Sequence, residues 1–216
     1  MTAKAQRQPL TKERIVAAAL AFAEDNGIES LSMRKLAADL GAGAMSLYNH
    51  VADKDELLRA MVDEIVSEIE LPAIIDGASD PAGWRATMRA SAMSARDAYV
   101  RHPWALAVVL RTQPGPQRMR YVERVLGAFA SSGLDEDLAH HAYHAYEVHI
   151  SGWTLTHIAF DFDDADLKKA AGAYLKQLDH EQFPHMAHHV RQHLDERDSD
   201  FEFGLDLLLD GLERLR

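Results

Sequence analysis

Along the chain the apolar residues recur every three to four positions, and nowhere do they alternate over a strand-length run bounded by hairpin turns. The pattern predicts helices throughout, an all-α fold. Ile15, Ala18, Ala19 and Phe22 form one stripe, opened by Thr11 as a capping hydroxyl and closed by Asn26-Gly27. Leu36, Ala37 and Leu40 form a second, with Ser32 as its cap and Gly41 placed to end the helix in a left-handed conformation. Three residues later a short helix is expected from about Ala44 to Val51. Asp53 then caps a longer one whose inward face is Leu57, Leu58, Met61, Ile65 and Ile69. The segment Leu71 to Gly83, with two prolines and two glycines, reads as a module boundary. Beyond it helices are expected at about 84–100, 103–111, 116–131, 135–160, 166–179, 183–196 and 200–215. The organisation predicted is residues 1–52 as one module, 53–70 as a connecting helix and 71–216 as a larger helical domain.

A helix ending at Gly41, a tight turn and a second helix three residues on make a helix-turn-helix arrangement, in which the second helix lies in the major groove. On that second helix Leu47 and Val51 are four apart and should face the core. Ala44, Met45, Ser46, Tyr48, Asn49 and His50 are left at the rim or outside, where an exposed Tyr and Met bring no burial. They suit a groove: Ala and Met can touch a thymine methyl, Asn can bond adenine, and Ser, Tyr and His can reach phosphates. Arg34, Lys35 and Lys54 would flank the same face. An ordinary three-helix packing unit with a solvated face has the same spacing.

Charge changes the picture only in degree. The 216-residue chain carries a net −11, which looks wrong for a nucleic-acid binder. Residues 1–52, however, hold six of its 23 basic and five of its 34 acidic side chains. The acidity therefore lies in the rest of the chain, and weak non-specific phosphate binding is expected rather than none. Without any cysteine there are no disulfides, thiolate metal sites or cysteine nucleophiles. No apolar run approaches the roughly 18–20 residues of a membrane span, and the N-terminus lacks a signal-peptide core, so a cytoplasmic protein with no membrane partner is expected.

The stretch from Thr11 to Met61 resembles the DNA-binding domain of the TetR family of bacterial transcriptional regulators. The resemblance rests on the Gly-Ile-Glu-Ser-Leu-Ser-Met-Arg-Lys-Leu-Ala run from Gly27 and on the Leu-Tyr-Asn-His-Val and Lys-Asp-Glu-Leu-Leu runs after it. It implies contact with double-stranded operator DNA through Met33, Arg34, Ala44, Met45, Ser46, Tyr48, Asn49, His50 and Lys54. Asn49 departs from the family pattern, where Trp or Arg is commoner, and Ala44 replaces a polar base-reading residue of the tetracycline-repressor branch. A different operator is the consequence.

The final helix carries Phe201, Leu205, Leu208, Leu212 and Leu215 in a heptad stripe, with Phe203, Leu207 and Leu209 beside it. It is apolar over more than one face and fits either a buried central helix or a dimer interface. It is similar to the last helix of the tetracycline-repressor branch, which implies a homodimer through helices 135–160 and 200–215. The resemblance also implies a small-molecule effector pocket among helices 84–131 and 135–160. Trp104, Tyr146, His149 and Trp153 supply aromatic and polar groups there, as they would in an ordinary helical core. By position the resemblance adds Ser91, Ala95, Val109, Thr112, Val125 and Thr156. Val109 and Thr156 stand where that branch holds magnesium-tetracycline with a His and a Glu, so no such complex is expected. The effector should be bulky and weakly polar.

Histidines at 140 and 144, and at 185, 189 and 193, have ligand spacing on a helix face. No HExxH, Ser-His-Asp or glycine-rich phosphate motif accompanies them. We therefore expect no metal, no cofactor, no catalytic residues and no enzyme activity. The competing expectation is a helical small-molecule-binding or His-metal enzyme with a vestigial DNA-binding module.

Overall fold

The computed structural model describes residues 9–77, 79–159, 164–193 and 199–216. Among these are eleven α-helices and no strand. They are α1 (Lys12–Asn26), α2 (Met33–Asp39), α3 (Ala44–Tyr48), α4 (Lys54–Ser67), α5 (Pro81–Arg101), α6 (Pro103–Val109), α7 (Pro116–Ala130), α8 (Glu136–Ala159), α9 (Asp164–Gln177), α10 (Pro184–His193) and α11 (Ser199–Glu213). The expected ends at Phe160 and at 194–196 lie outside the described residues. None of the described helices is long and apolar enough to cross a membrane.

Two compact units divide the chain: residues up to Leu71 with Asp97–Arg124, and Pro72–Arg96 with the chain from Val125. The first unit thus takes in a stretch well beyond the expected boundary at 71. In it, Ile15, Ala19 and Ala23 of α1, Leu36 of α2, Leu57, Met61 and Ile65 of α4 and Leu106 of α6 are all buried. Side-chain caps open the first helices as their sequences require. The Thr11 hydroxyl accepts the Arg14 N–H at 3.3 Å, Ser32 accepts from Lys35 at 3.3 Å, and Asp53 accepts from Glu56 at 2.7 Å.

In the second unit, buried aromatic rings stack edge to face through the core. Trp84 meets Phe129 at 6.2 Å and Phe129 meets Tyr146 at 5.6 Å. Both polar ends are satisfied, with Trp84 Nε1 donating to Ala128 O at 3.1 Å and the Tyr146 hydroxyl to Met88 O at 2.9 Å. Burial drives the Tyr146 phenol far above its ordinary pKa, so it acts only as a neutral donor. Arg85 and Arg89 of α5 form a ladder of ion pairs with Glu202, Asp206 and Asp210 of α11.

Three expectations are corrected. α3 ends at Tyr48 rather than Val51, because Asp53 must be extended (φ −157°) to cap α4 and the chain has to leave the helix first. α5 starts at Pro81, not 84, because the Asp80 carboxylate caps it through the Gly83 N–H at 2.9 Å. On α11 the buried stripe is Phe201, Leu205, Leu209 and Leu212, while Leu215 is exposed. A straight helix follows a period of 3.6 and drifts off a strict heptad, bringing Leu209 inward.

Candidate nucleic-acid interface and effector core

α2 ends in a Schellman turn: the Gly41 N–H bonds Ala38 O at 3.1 Å and the Ala42 N–H bonds Ala37 O at 2.8 Å, with Gly41 at φ 62°. A side chain at Gly41 would meet no atom within 4 Å, so its requirement is purely that of the left-handed backbone. The reversal brings α3 back against α2. Leu47 is the one buried residue of α3, and Val51 just after it is buried too. Everything else on α3 faces outward or sits at the rim. Met45 is 76% exposed and Tyr48 43% exposed, Ser46, Asn49 and His50 are exposed, and Ala44 is half-buried. Arg34, Lys35 and Lys54 are exposed. Met33, by contrast, is buried, so its side chain belongs to the core.

Behind this face Glu56 ties α1 to α4. Its carboxylate accepts the Ala52 N–H at 2.6 Å and the Lys12 ammonium at 2.6 Å. The Ala52 hydrogen bond first, and Lys12 second, hold its pKa below the ordinary value. Because the folded pKa is depressed, this contribution to stability is complete above the ordinary carboxylate range and disappears as pH falls through the lowered pKa. Melting curves of wild type and Glu56→Gln should accordingly differ at neutral pH and converge in acid. A constant difference would assign the effect to packing. A groove of about 820 Å³ opens beside this pair, between α1, α4 and residues 113–117, a cavity that the sequence did not announce.

The proposed effector residues divide between the units. Ser91, Ala95, Val125 and Tyr146 are fully buried in the second. His149 and Trp153 are half-buried on one face of α8 and meet Phe201 of α11 at 4.9 and 5.2 Å. Trp153 stacks on His157 at 4.6 Å and 12°. Over this cluster lies Arg96, 4.9 Å from the Phe201 ring and 6.0 Å from Trp153. Neither Arg96 nor Phe201 was among the residues expected in an effector pocket. A side chain at Gly204 would stand 2.6 Å from His149 Cε1, so the glycine makes room for the imidazole. Thr156 is exposed, with its hydroxyl on Gly152 O at 2.9 Å. Trp104, Val109 and Thr112 lie in the first unit. Among the histidines, the His140 and His144 rings approach to 4.6 Å, and the His193 side chain lies outside the described residues.

Two family models match the chain: bacterial regulatory proteins of the tetR family over residues 15–61, and the tetracyclin repressor-like C-terminal domain over residues 77–216. The transcriptional repressor DrrR1 of Streptomyces coeruleorubidus is 36% identical, over 95% of this chain and 78% of its own. The chain belongs to the TetR family. Its fold is shared by the TetR-family protein ActR of Streptomyces coelicolor, solved with actinorhodin, at TM-score 0.82 and 30% identity over 95% of this chain and 97% of that one. The class G tetracycline repressor of Vibrio anguillarum is 28% identical over 96% of this chain and 95% of its own. This TetR-family regulator is therefore a DNA-binding transcription factor, with α2 and α3 as its helix-turn-helix.

Proposed function

We propose that the protein is a cytoplasmic homodimeric repressor, released from a palindromic operator when a small molecule other than magnesium-tetracycline enters its C-terminal domain. One observation carries the operator reading: Leu47 holds α3 in place, while Met45, Ser46 and Tyr48 on it and Asn49 and His50 just after it are left outward. Such a surface on a five-residue helix has no use in folding. The solved complex of ActR with actinorhodin supports a small-molecule effector for a chain of this fold, and the half-buried His149–Trp153–Arg96 cluster offers the chemistry of such a site. Val109 and Thr156 supply neither imidazole nor carboxylate, which is the reason for excluding magnesium-tetracycline.

The reading helix is chemically sparse, with no Arg or Lys between Ala44 and Val51. Methyl contacts from Ala44 and Met45 to thymine then share the recognition with Asn49, and phosphate contacts fall to Arg34, Lys35 and Lys54. Gel shifts against the DNA flanking the regulator's own gene, with salt varied, test this directly. Three cations per protomer predict a slope of log K on log salt of about −5 for a dimer. Met45→Ala should lower the preference for the operator over random DNA by about tenfold and leave that slope unchanged. Absence of sequence-specific binding at low salt would refute the reading.

A further inference from the structure

α7 opens with Pro116, so the amides of Gln117 and Arg118 are its first donors, and neither has an acceptor within the helix. A carboxylate from another helix takes both. The Gln117 N–H donates to Asp63 Oδ2 at 3.0 Å and the Arg118 N–H to Asp63 Oδ1 at 2.9 Å. Asp63 is on α4, and its charge sits at the positive end of the α7 dipole. The approach is so close that a Cβ at Gly115 would stand 2.6 Å from the Asp63 carboxyl carbon. Arg118 also reaches back, donating from Nη1 to Val109 O at 2.7 Å and Thr112 O at 3.0 Å, which closes the end of α6. One carboxylate of α4 thus holds the start of α7, and Arg118 there in turn holds the end of α6.

We propose that Asp63 is a positioning residue for operator recognition, the joint through which α7 sets α4. The inference rests on the reading that α3, which immediately precedes α4, delivers the operator contacts. A cap made by a side chain of the same segment would hold only its own helix. This one makes the position of α7 and that of α4 a single variable. α7 runs on through Val125, a residue of the proposed effector site, so any shift of α7 is handed to α4 at Asp63. Two charge-assisted hydrogen bonds and a dipole contact make the joint stiff, and Gly115 keeps it short.

The test compares full-length wild type with Asp63→Ala, Gly115→Ala and the double variant. Each is measured for thermal melting, amide exchange, affinity for a duplex selected from random sequence by the wild type, and distances between spin labels at Ala21→Cys in the proposed dimer. The chain has no native cysteine, so labelling is single. Asp63→Ala should speed exchange at Gln117 and Arg118 at least about tenfold, broaden the label distances and weaken the selected duplex about tenfold. Gly115→Ala should do the same by displacing the carboxylate, and the double variant should be no worse than Asp63→Ala alone. If Asp63→Ala does not fold, Asp63→Asn, which keeps one acceptor oxygen, carries the same comparisons. Faster exchange with unchanged distances and duplex affinity would overturn the proposal, as would additive losses in the double variant. Failure of the wild type to select a duplex, or to give paired labels, strikes the operator or dimer reading instead; the exchange and double-variant results still judge the joint.

Discussion

Leu47→Ala is expected to weaken operator binding by at least about 100-fold while leaving the second unit folded, because that one side chain holds the reading helix. A five-residue helix has no stability of its own; nucleation costs more than its few hydrogen bonds return. α3 persists because Leu47 is completely buried and the Schellman turn at Gly41 aims it inward. Truncation removes about three methyl-sized groups and leaves a cavity, costing about 2–5 kcal/mol. That is a large share of the stability of a small domain. Met45, Ser46, Tyr48, Asn49 and His50 then lose their common orientation, and every contact weakens at once. Leu47→Met, similar in volume, should cost less than about 1.5 kcal/mol and keep binding. Fluorescence anisotropy with a labelled operator, run beside circular dichroism melts, checks both. A destabilised Leu47→Ala protein that binds its operator normally would show that α3 is not the reading element.

What sequence reading could reach follows from the range of the interactions. Thr11, Ser32 and Asp53 cap helices that begin at the next residue, and Gly41 ends α2 through bonds to Ala37 and Ala38. Such contacts depend on neighbours in the chain, so residue type and spacing suffice to find them. Met33 is an instructive case. Family resemblance put it on the DNA, yet its spacing from Leu36 and Ala37 matches the buried face of α2, and it is buried. The Asp63 cap on α7 spans 54 and 55 residues, and Arg96 meets Phe201 through the crossing of α5 and α11. Neither leaves a trace in periodicity, because helix crossings are set by side-chain interdigitation across the whole unit. Leu209 turns inward for a related reason: the helix keeps its own 3.6-residue turn and drifts off a strict heptad.

Phe203→Glu with Leu207→Glu should convert the proposed dimer to monomer without unfolding it. Both residues lie on one face of α11, a turn apart, at 67% and 58% exposure, and α8 of the same unit exposes Val148 and Leu155. Large apolar side chains this exposed are surplus to the core, whose own stripe on α11 is Phe201, Leu205, Leu209 and Leu212. Substitution at solvent-facing positions changes monomer stability by only about ±0.5 kcal/mol. In a two-fold interface, however, each change occurs twice, and the unpaired buried carboxylates would cost several kcal/mol apiece. Sedimentation velocity at micromolar concentration should therefore show a monomer for the variant and a dimer for the wild type. Operator affinity should fall by about 10²–10⁴, the loss expected when two half-sites can no longer be engaged together. The Arg85–Asp206 and Arg89–Asp206 pairs also join α5 to α11 but lie within the protomer, so disrupting them with Asp206→Asn should loosen α11 without changing the sedimentation coefficient class. A Glu-substituted chain that still sediments as a dimer would move the interface away from α11, and a wild type that is monomeric would leave palindromic recognition without a basis.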